Sequence, residues 1–230
     1  MIGSFARRSS LNVPLAFLAS LLIVLTEFLL HPTIILVFFV SELTDSLRTI
    51  GFVVTVGLLG WYVPQMIAPW FARSSGRQMP WALGASLVRA AAVIFLAYVG
   101  YRTDVSDDER LRSFFICYVA YSVASGFAQG PVNELISHGV RGDQLGRLVA
   151  QRNLWSGVIA IAAAVAARQS LGPSGPEFPR NVTLLFIAAA AAISGATFFL
   201  ARIRETPAAR RSGDVPRTRD VFRVLGDGAL

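Results

Sequence analysis

Six long stretches of the chain carry almost no charge, and this pattern constrains the fold more than any other feature. They cover residues 12–40, 49–72, 81–101, 113–133, 154–171 and 182–201. About 20 apolar residues in an α-helix cross a bilayer core about 30 Å thick, whereas membrane β-strands alternate and are about half as long. We therefore predict an all-α, polytopic membrane helix bundle. Its six transmembrane helices occupy residues 12–202, between an amino-terminal segment 1–11 and a polar linker or tail 203–230.

The composition excludes several kinds of chemistry. Hydrophobic residues make up 54% of the 230 positions and charged residues 15%, whereas a soluble domain carries about a quarter charged residues. All 21 basic residues are Arg, so P-loop and Schiff-base lysines are excluded. One cysteine, Cys117, and two His allow neither an internal disulfide nor a Cys/His metal cluster. We predict no catalytic residue, metal or cofactor. The positive-inside rule explains the net charge of +7 without a nucleic-acid partner.

The arginines are distributed unevenly between the two predicted sides of the membrane. Fourteen lie in the terminal segments and in the second and fourth connections, whereas six lie in the other three connections. Basic residues are enriched in cytoplasmic segments, and Trp is enriched at membrane interfaces. Trp70, Trp81 and Trp155 fall at the predicted inner interface. We therefore predict that both termini are cytoplasmic. The Arg-only, Ala-rich composition favours a multi-pass protein of a bacterial cytoplasmic (inner) membrane.

Small residues and prolines predict local features of the bundle. Ser122, Gly126 and Gly130 recur every four residues in the fourth span and form a ridge on one helix face. Small residues let transmembrane helices approach closely, because lipid offers no hydrophobic reason to associate. We expect another helix to pack on this ridge. Kinks or turn ends are predicted at three prolines of the first two spans: Pro32, Pro64 and Pro69.

The short connection after the second span carries a recognisable pattern. Residues 69–78 read Pro-Trp-Phe-Ala-Arg-Ser-Ser-Gly-Arg-Gln. This resembles the signature loop of the major facilitator superfamily, Gly-x-Leu-Ala-Asp-Arg-x-Gly-Arg-Arg/Lys. Ala72, Gly76 and Arg77 match that pattern, and Arg73 stands at the Asp position. The resemblance implies that Arg73, Gly76 and Arg77 belong to a cytoplasmic gating turn.

Three further segments are similar to elements of the same superfamily. Gln-Gly-Pro at 129–131 looks like the end of its Arg-x-x-Gln-Gly element, with Gly126 where the Arg would stand. The Arg- and Gly-rich segment 141–153 resembles the loop ahead of the superfamily's fifth helix. Arg-Ile-Arg-Glu-Thr-Pro at 202–207 is similar to the start of its central cytoplasmic loop. The resemblance covers the whole chain as an amino-terminal six-helix half.

This resemblance implies a fold and a function. The six helices would form two inverted three-helix repeats, with the first, second, fourth and fifth helices lining the central pathway. The chain would be half of a secondary transporter that moves a small molecule across the lipid bilayer by alternating access. The expected partner is a missing carboxyl-terminal six-helix half or a second copy of the chain.

Polar residues inside the apolar spans are candidates for the transport pathway. Glu27 lies near the middle of the first span, and His31 follows one helical turn later. A carboxylate at the centre of a transmembrane helix costs about 2.5–3.5 kcal/mol on insertion scales, so it usually faces a cavity or a partner. Glu27 is therefore a candidate proton- or cation-coupling group, and a structural hydrogen bond is the alternative. The other predicted pathway residues, each also compatible with a packing hydrogen bond, are Gln65, Gln129 and Asn133.

Arg89 is a charged residue inside the third span. It must reach the inner surface with its long side chain or pair with a carboxylate. Glu134 and Glu27 are the two candidate partners, and we predict an intramembrane ion pair between Arg89 and Glu134.

Two other classes of function compete with transport. A non-transporting membrane assembly or scaffold protein could share the fold, because fold does not dictate function. A six-span intramembrane protease is the other alternative, because Gly-Pro-Ser-Gly at 172–175 matches a Gly-x-Ser-Gly nucleophile motif. That motif requires a later His as general base, whereas His31 and His138 both precede Ser174.

Overall fold

The computed structural model describes residues 2–75, 77–102, 104–139 and 142–203, and regular structure within these ranges is entirely helical. The predicted tail 203–230 lies outside them, apart from Ile203. The helices are α1 Ile2–Leu29, α2 Val37–Ser41, α3 Leu47–Ser75, α4 Met79–Tyr101, α5 Asp107–Gly139, α6 Gly142–Leu171 and α7 Arg180–Arg202. α1 begins at Ile2, so it includes the predicted amino-terminal segment, and the first candidate span begins at Asn12.

Six helical segments are long and apolar enough to cross a membrane, which confirms the prediction of a membrane helix bundle. In chain order the spans are Asn12–Ser41, Leu47–Ala68, Met79–Tyr101, Asp107–Ile136, Gln144–Leu171 and Arg180–Arg202. The first span contains most of α1 together with α2, and each of the others lies in a single helix. The fifth span begins ten residues before the predicted start at 154, so it includes Arg152.

The first span is broken near His31. His31 has an extended backbone (φ −62°, ψ 121°), and a π-helical turn, Pro32–Leu36, follows it before α2 begins. A residue that precedes proline is disfavoured in the α conformation, which explains the break at this position. The His31 carbonyl accepts hydrogen bonds from the amides of Ile35 (3.0 Å) and Leu36 (3.2 Å). The prediction of a turn end is thus confirmed at Pro32, whereas α3 continues without ending through Pro64 and Pro69.

The large helices pack in a defined order. α3 packs on α5, α5 on α4, α4 on α7, α7 on α1, and α1 on α6. α6 also contacts α7, whereas α3 has no comparable contact with α4. α3 and α6 are the two least buried spans. Only 17% and 6% of their apolar windows are buried, against 39–56% for the other spans.

Glycines bring α3 and α5 together. A Cβ at Gly60 would lie 2.5 Å from the Ser122 Cβ. A Cβ at Gly126 would lie 2.7 Å from the Gly60 carbonyl oxygen and closer still to that of Trp61. By contrast, a Cβ at Gly130 would meet no described atom within 4 Å. The predicted ridge is therefore confirmed at Ser122 and Gly126, and Gly130 lies beyond the contact.

Aromatic rings fill the bundle near α2. Phe39 is fully buried, and its ring centroid lies 5.3 Å from those of Phe114 and Phe186.

The connection between α4 and α5 carries an exposed ion pair. Arg102 donates hydrogen bonds from Nε (2.9 Å) and Nη2 to the Asp104 carboxylate. This pairing holds the pKa of the exposed Asp104 at about 2, below its usual 3.8.

Candidate functional site

Three side chains from three helices meet at the middle of the bundle. Glu27 of α1, Arg89 of α4 and Tyr121 of α5 each lie within one residue of the midpoint of their spans. Arg89 Nη2 lies 4.0 Å from Glu27 Oε1, and the Arg89 Cζ lies 5.7 Å from the centroid of the Tyr121 ring. The Arg89 side chain is 3% exposed and that of Glu27 is 36% exposed. The cation is therefore enclosed by protein, whereas the carboxylate is open on one side.

The ion pair leaves Arg89 incompletely satisfied. Its Nε and Nη2 are buried and have no hydrogen-bond acceptor among the residues that the structure describes. A charge-assisted N–H···O hydrogen bond is about 2.7–2.9 Å long, so the 4.0 Å pair with Glu27 is a charge contact without a hydrogen bond. Because Arg does not deprotonate in proteins, this site keeps a buried positive charge with free donors.

A second arginine acts on the same carboxylate. Arg152 of α6 interacts electrostatically with Glu27, and its buried Nε also has no hydrogen-bond partner within the described part of the chain. The segment 141–153 is predicted to be a loop, whereas α6 begins at Gly142 and the fifth span includes Arg152. The Glu27 carboxylate is therefore acted on by positive charge from two helices, and of these two arginines Arg89 is the one within 4.0 Å of it.

The predicted ion pair between Arg89 and Glu134 is wrong, since Arg89 pairs with Glu27. The reason is depth along the helices. Arg89 lies level with Tyr121, and Glu134 follows Tyr121 by thirteen residues on α5, which is about 20 Å at the helical rise. An arginine side chain does not span that separation.

A cavity of about 330 Å³ opens beside Glu27, between α1, α3 and α5. Its size is within the range of small-molecule pockets, about 300–1,000 Å³. Aromatic rings and hydroxyl groups dominate its wall, and Glu27 provides the carboxylate. The lining residues are Glu27, Leu30, His31, Pro32, Thr33, Val54, Gly57, Leu58, Trp61, Tyr62, Tyr118, Tyr121 and Ser122.

His31 lies between this cavity and a second one. It also lines a space of about 550 Å³ between the end of α1 and α6, next to Arg168. Its Nδ1 is 3.0 Å from the Thr33 hydroxyl. The spacing of His31 from Glu27 predicts one continuous helical turn, whereas the helix breaks at His31 and this break places its side chain between the two cavities. Both residues nevertheless line the same cavity.

The other predicted pathway and gating residues lie elsewhere. Gln65, Gln129 and Asn133 do not line the 330 Å³ cavity. Gln129 follows the lining residue Ser122 by seven residues on α5, about 10 Å farther along the helix. Of the predicted gating turn, Arg73 lies within α3, which ends at Ser75, and Arg77 is exposed in the short connection before α4. The Arg73 side chain and Gly76 lie outside the described residues.

Sequence reasoning missed most of the cavity wall. Gly57 and Trp61 of α3 and Tyr118 and Tyr121 of α5 were not singled out, although three of the four are aromatic and all lie well inside apolar spans. Mid-span Tyr was the available signal, because a buried hydroxyl needs a partner. The described residues contain no group of three His, Cys, Asp or Glu that could hold a metal ion.

No protein-family model, curated protein or solved structure matches this chain. The mid-membrane charges, the broken helix and the cavity are therefore the features that bear on its function.

Proposed function

We propose that this chain is a six-helix half of a secondary transporter, which moves a small molecule by alternating access and couples its movement to protons through Glu27. The observation that carries the proposal is a charged cluster at the middle of the bundle, beside a cavity and next to a broken helix. Ionisable residues within membrane spans mark substrate, ion and proton pathways. Discontinuous helices at mid-membrane depth form the binding sites of many transporters.

The geometry supports a proton role for Glu27. Its side chain is 36% exposed and lines the cavity, so the carboxylate is accessible to water from that side. Arg89 behind it is a permanent charge, and only Glu27 of this pair can change its protonation state. A proton on Glu27 removes the negative charge that attracts Arg89, so the ion pair that links α1 to α4 depends on whether Glu27 is protonated. This dependence is what a proton-coupled conformational change requires.

The packing supports the major facilitator superfamily as the structural class. The five most extensive helix pairs are retained when the first three spans are exchanged for the last three, which is expected for two inverted repeats. The cavity lies between the first, second and fourth spans, which the superfamily uses for its pathway. α3 and α6 are the least buried spans and would contact a carboxyl-terminal half or a second copy. In this proposal both termini are cytoplasmic.

Uptake into membrane vesicles carrying the full chain tests the proposal. A panel of radiolabelled small molecules is screened with and without an imposed pH gradient, and accumulation above the equilibrium level identifies a substrate. Glu27→Gln should abolish this pH-driven accumulation without lowering the amount of folded protein. Glu42→Gln, which changes an exposed carboxylate outside the cavity, is the matched control and should behave as wild type.

Two results would contradict the proposal in different ways. If Glu27→Gln still concentrates the substrate with normal pH dependence, Glu27 is structural and the coupling mechanism fails. If the wild-type protein accumulates none of the molecules, with or without a pH gradient, a transporter built from copies of this chain alone is contradicted. The non-transporting scaffold is then the better explanation if co-expression with a separate carboxyl-terminal half also fails to restore uptake.

A further inference from the structure

The charges that surround Glu27 do not balance. Arg89 of α4 and Arg152 of α6 both act on it, so the cluster carries a net charge of +1 when Glu27 is ionised. The neighbouring helices do not correct this excess. The sequence has no charged residue between 48 and 73 on α3, between 112 and 134 on α5, or between 180 and 202 on α7.

The remaining titratable groups around Glu27 do not supply a negative charge at neutral pH. His31 follows on its own segment, Tyr62 faces the cavity from α3, and Tyr118 and Tyr121 face it from α5. Tyrosine is neutral near pH 7, and His is either neutral or positive. Protonation of Glu27 therefore raises the charge of this cluster from +1 to +2 and removes the carboxylate charge that acts on both guanidinium groups.

The arginines also have unused hydrogen-bond donors. Nε and Nη2 of Arg89 and Nε of Arg152 are buried without an acceptor in the part of the chain that the structure describes. Arg89 is 2% exposed and lies directly behind two residues of the cavity wall, Glu27 and Tyr121. A planar guanidinium with free N–H groups is the side chain best suited to hold a carboxylate.

A cationic ligand is the obvious alternative, because the aromatic rings of Trp61 and Tyr62 beside a carboxylate could attract an amine. Such a ligand would place a third positive charge next to one carboxylate in a region of low dielectric. An anion has the opposite effect, because its negative charge offsets one of the two guanidinium charges when Glu27 is protonated. Charge therefore favours an anion, and the rings favour an apolar or aromatic body.

We propose that the 330 Å³ cavity binds a small carboxylate with an apolar or aromatic body, together with one proton on Glu27. The proton comes from water in the open cavity, joins a Glu27 carboxyl oxygen and leaves the bonds of the ligand unchanged. Arg89 becomes the counterion of the ligand in place of Glu27, and Arg152 adds to the attraction. This inference rests on the proposed transport function and specifies its substrate class.

Three probes of the same shape and different charge test the substrate class: benzoate, benzylamine and benzyl alcohol. Their binding to the full chain in detergent micelles is measured by calorimetry, in two buffers that differ in ionisation enthalpy, so that protons taken up are counted. Benzoate should bind at least tenfold more tightly than the other two probes and take up about one proton. By linkage, its affinity should rise up to tenfold for each unit of pH lowered through the titration of Glu27.

Variants assign the effect to the cluster. Glu27→Gln resembles the protonated residue, so it should bind benzoate without proton uptake and with little pH dependence. Arg89→Gln should weaken benzoate binding at least tenfold, and Glu42→Gln should bind as wild type. If Arg89→Gln fails to fold, the proton counts of wild type and Glu27→Gln still decide the matter.

Several outcomes would overturn the inference. They are tighter binding of benzylamine than of benzoate, benzoate binding without proton uptake, and no benzoate binding at millimolar concentration. The vesicle assay keeps these failures separate from failure of the transport proposal. Glu27-dependent accumulation of a molecule that is not a carboxylate would support the transport proposal and contradict only the inferred substrate class. Proton-linked binding of benzoate without accumulation of any molecule would support the inferred binding site and contradict the transport proposal.

Discussion

The contact between α3 and α5 can be tested with two glycines of one helix. Gly126→Ala places a methyl group 2.7 Å from the Gly60 carbonyl oxygen, where ordinary contacts begin at 3.4 Å. The obstacle is backbone, so no side-chain rotation relieves it, and the helices must separate by at least 0.7 Å. Overpacking of this kind costs about 1–3 kcal/mol. Gly130→Ala meets no described atom within 4 Å beyond its chain neighbours. Its better helix propensity, worth about 0.5–1 kcal/mol, is opposed by the restriction on a Cβ that precedes Pro131 within the helix.

Thermal unfolding in detergent measures this difference. Cys117 is the only cysteine and is 5% exposed, so a thiol-reactive fluorescent dye reports unfolding directly. For a chain of this size, 1 kcal/mol corresponds to roughly 2–4 °C in Tm, so Gly126→Ala should lower Tm by about 2–12 °C. Gly130→Ala should change Tm by no more than about 2 °C, because the gain in helix propensity and the restriction before Pro131 oppose each other. Equal Tm values for the two variants would refute the close contact at Gly126.

Three other perturbations address the charges and the core. In a double-mutant cycle of Glu27→Gln and Arg89→Gln, losing either the carboxylate or the buried cation alone should destabilise the protein more than losing both. Tm or denaturant unfolding should give a coupling energy of about 1–3 kcal/mol. Pairing with Arg102 lowers the pKa of Asp104 in the folded protein, so this pairing stabilises the fold at pH values above the pKa that Asp104 has in the unfolded chain. The Tm difference between wild type and Asp104→Asn should therefore be present near pH 5 and vanish as the pH falls from about 4 to 2. Phe39→Ala should cost about 3–5 kcal/mol, measured by the same unfolding assay. Phe95→Ala, which removes a ring that is 51% exposed, should cost much less.

The sequence was sufficient for the six spans because hydropathy over about twenty residues is a large, local signal. It was less reliable at their ends. Arg152 was assigned to a connection because a charge inside a span is costly, but the structure includes it in α6. Its electrostatic interaction with Glu27 offsets that cost, and such a partner is not visible within a local window. Charged residues at span ends are therefore ambiguous until their neighbours on other helices are known.

The partner of Arg89 could not be chosen from sequence for a related reason. Glu27 and Glu134 offer identical chemistry, and only the depth of each helix in the bundle separates them. The close approach of α3 was missed as well. Small residues at a spacing of four indicate the ridge on α5, whereas Gly57 and Gly60 of α3 are three apart. Gly60 meets Ser122 of that ridge and Gly57 meets Tyr118, which is apparent only once the helices are paired.

The size of the Glu27–Arg89 interaction bears on how a switch at this site would work. Two unit charges 4.0 Å apart attract with about 4 kcal/mol at an effective dielectric constant of about 20, and the 36% exposure of Glu27 reduces this value. Moving a two-state equilibrium from 1:99 to 99:1 requires about 5.5 kcal/mol. Protonation of Glu27 alone therefore falls short of a complete switch. An anionic ligand that bonds to the unpaired arginine donors supplies the remainder, and it binds most favourably when the proton has removed the competing charge of Glu27. In this mechanism neither proton nor ligand completes the transition alone, which is the condition for tight coupling between them.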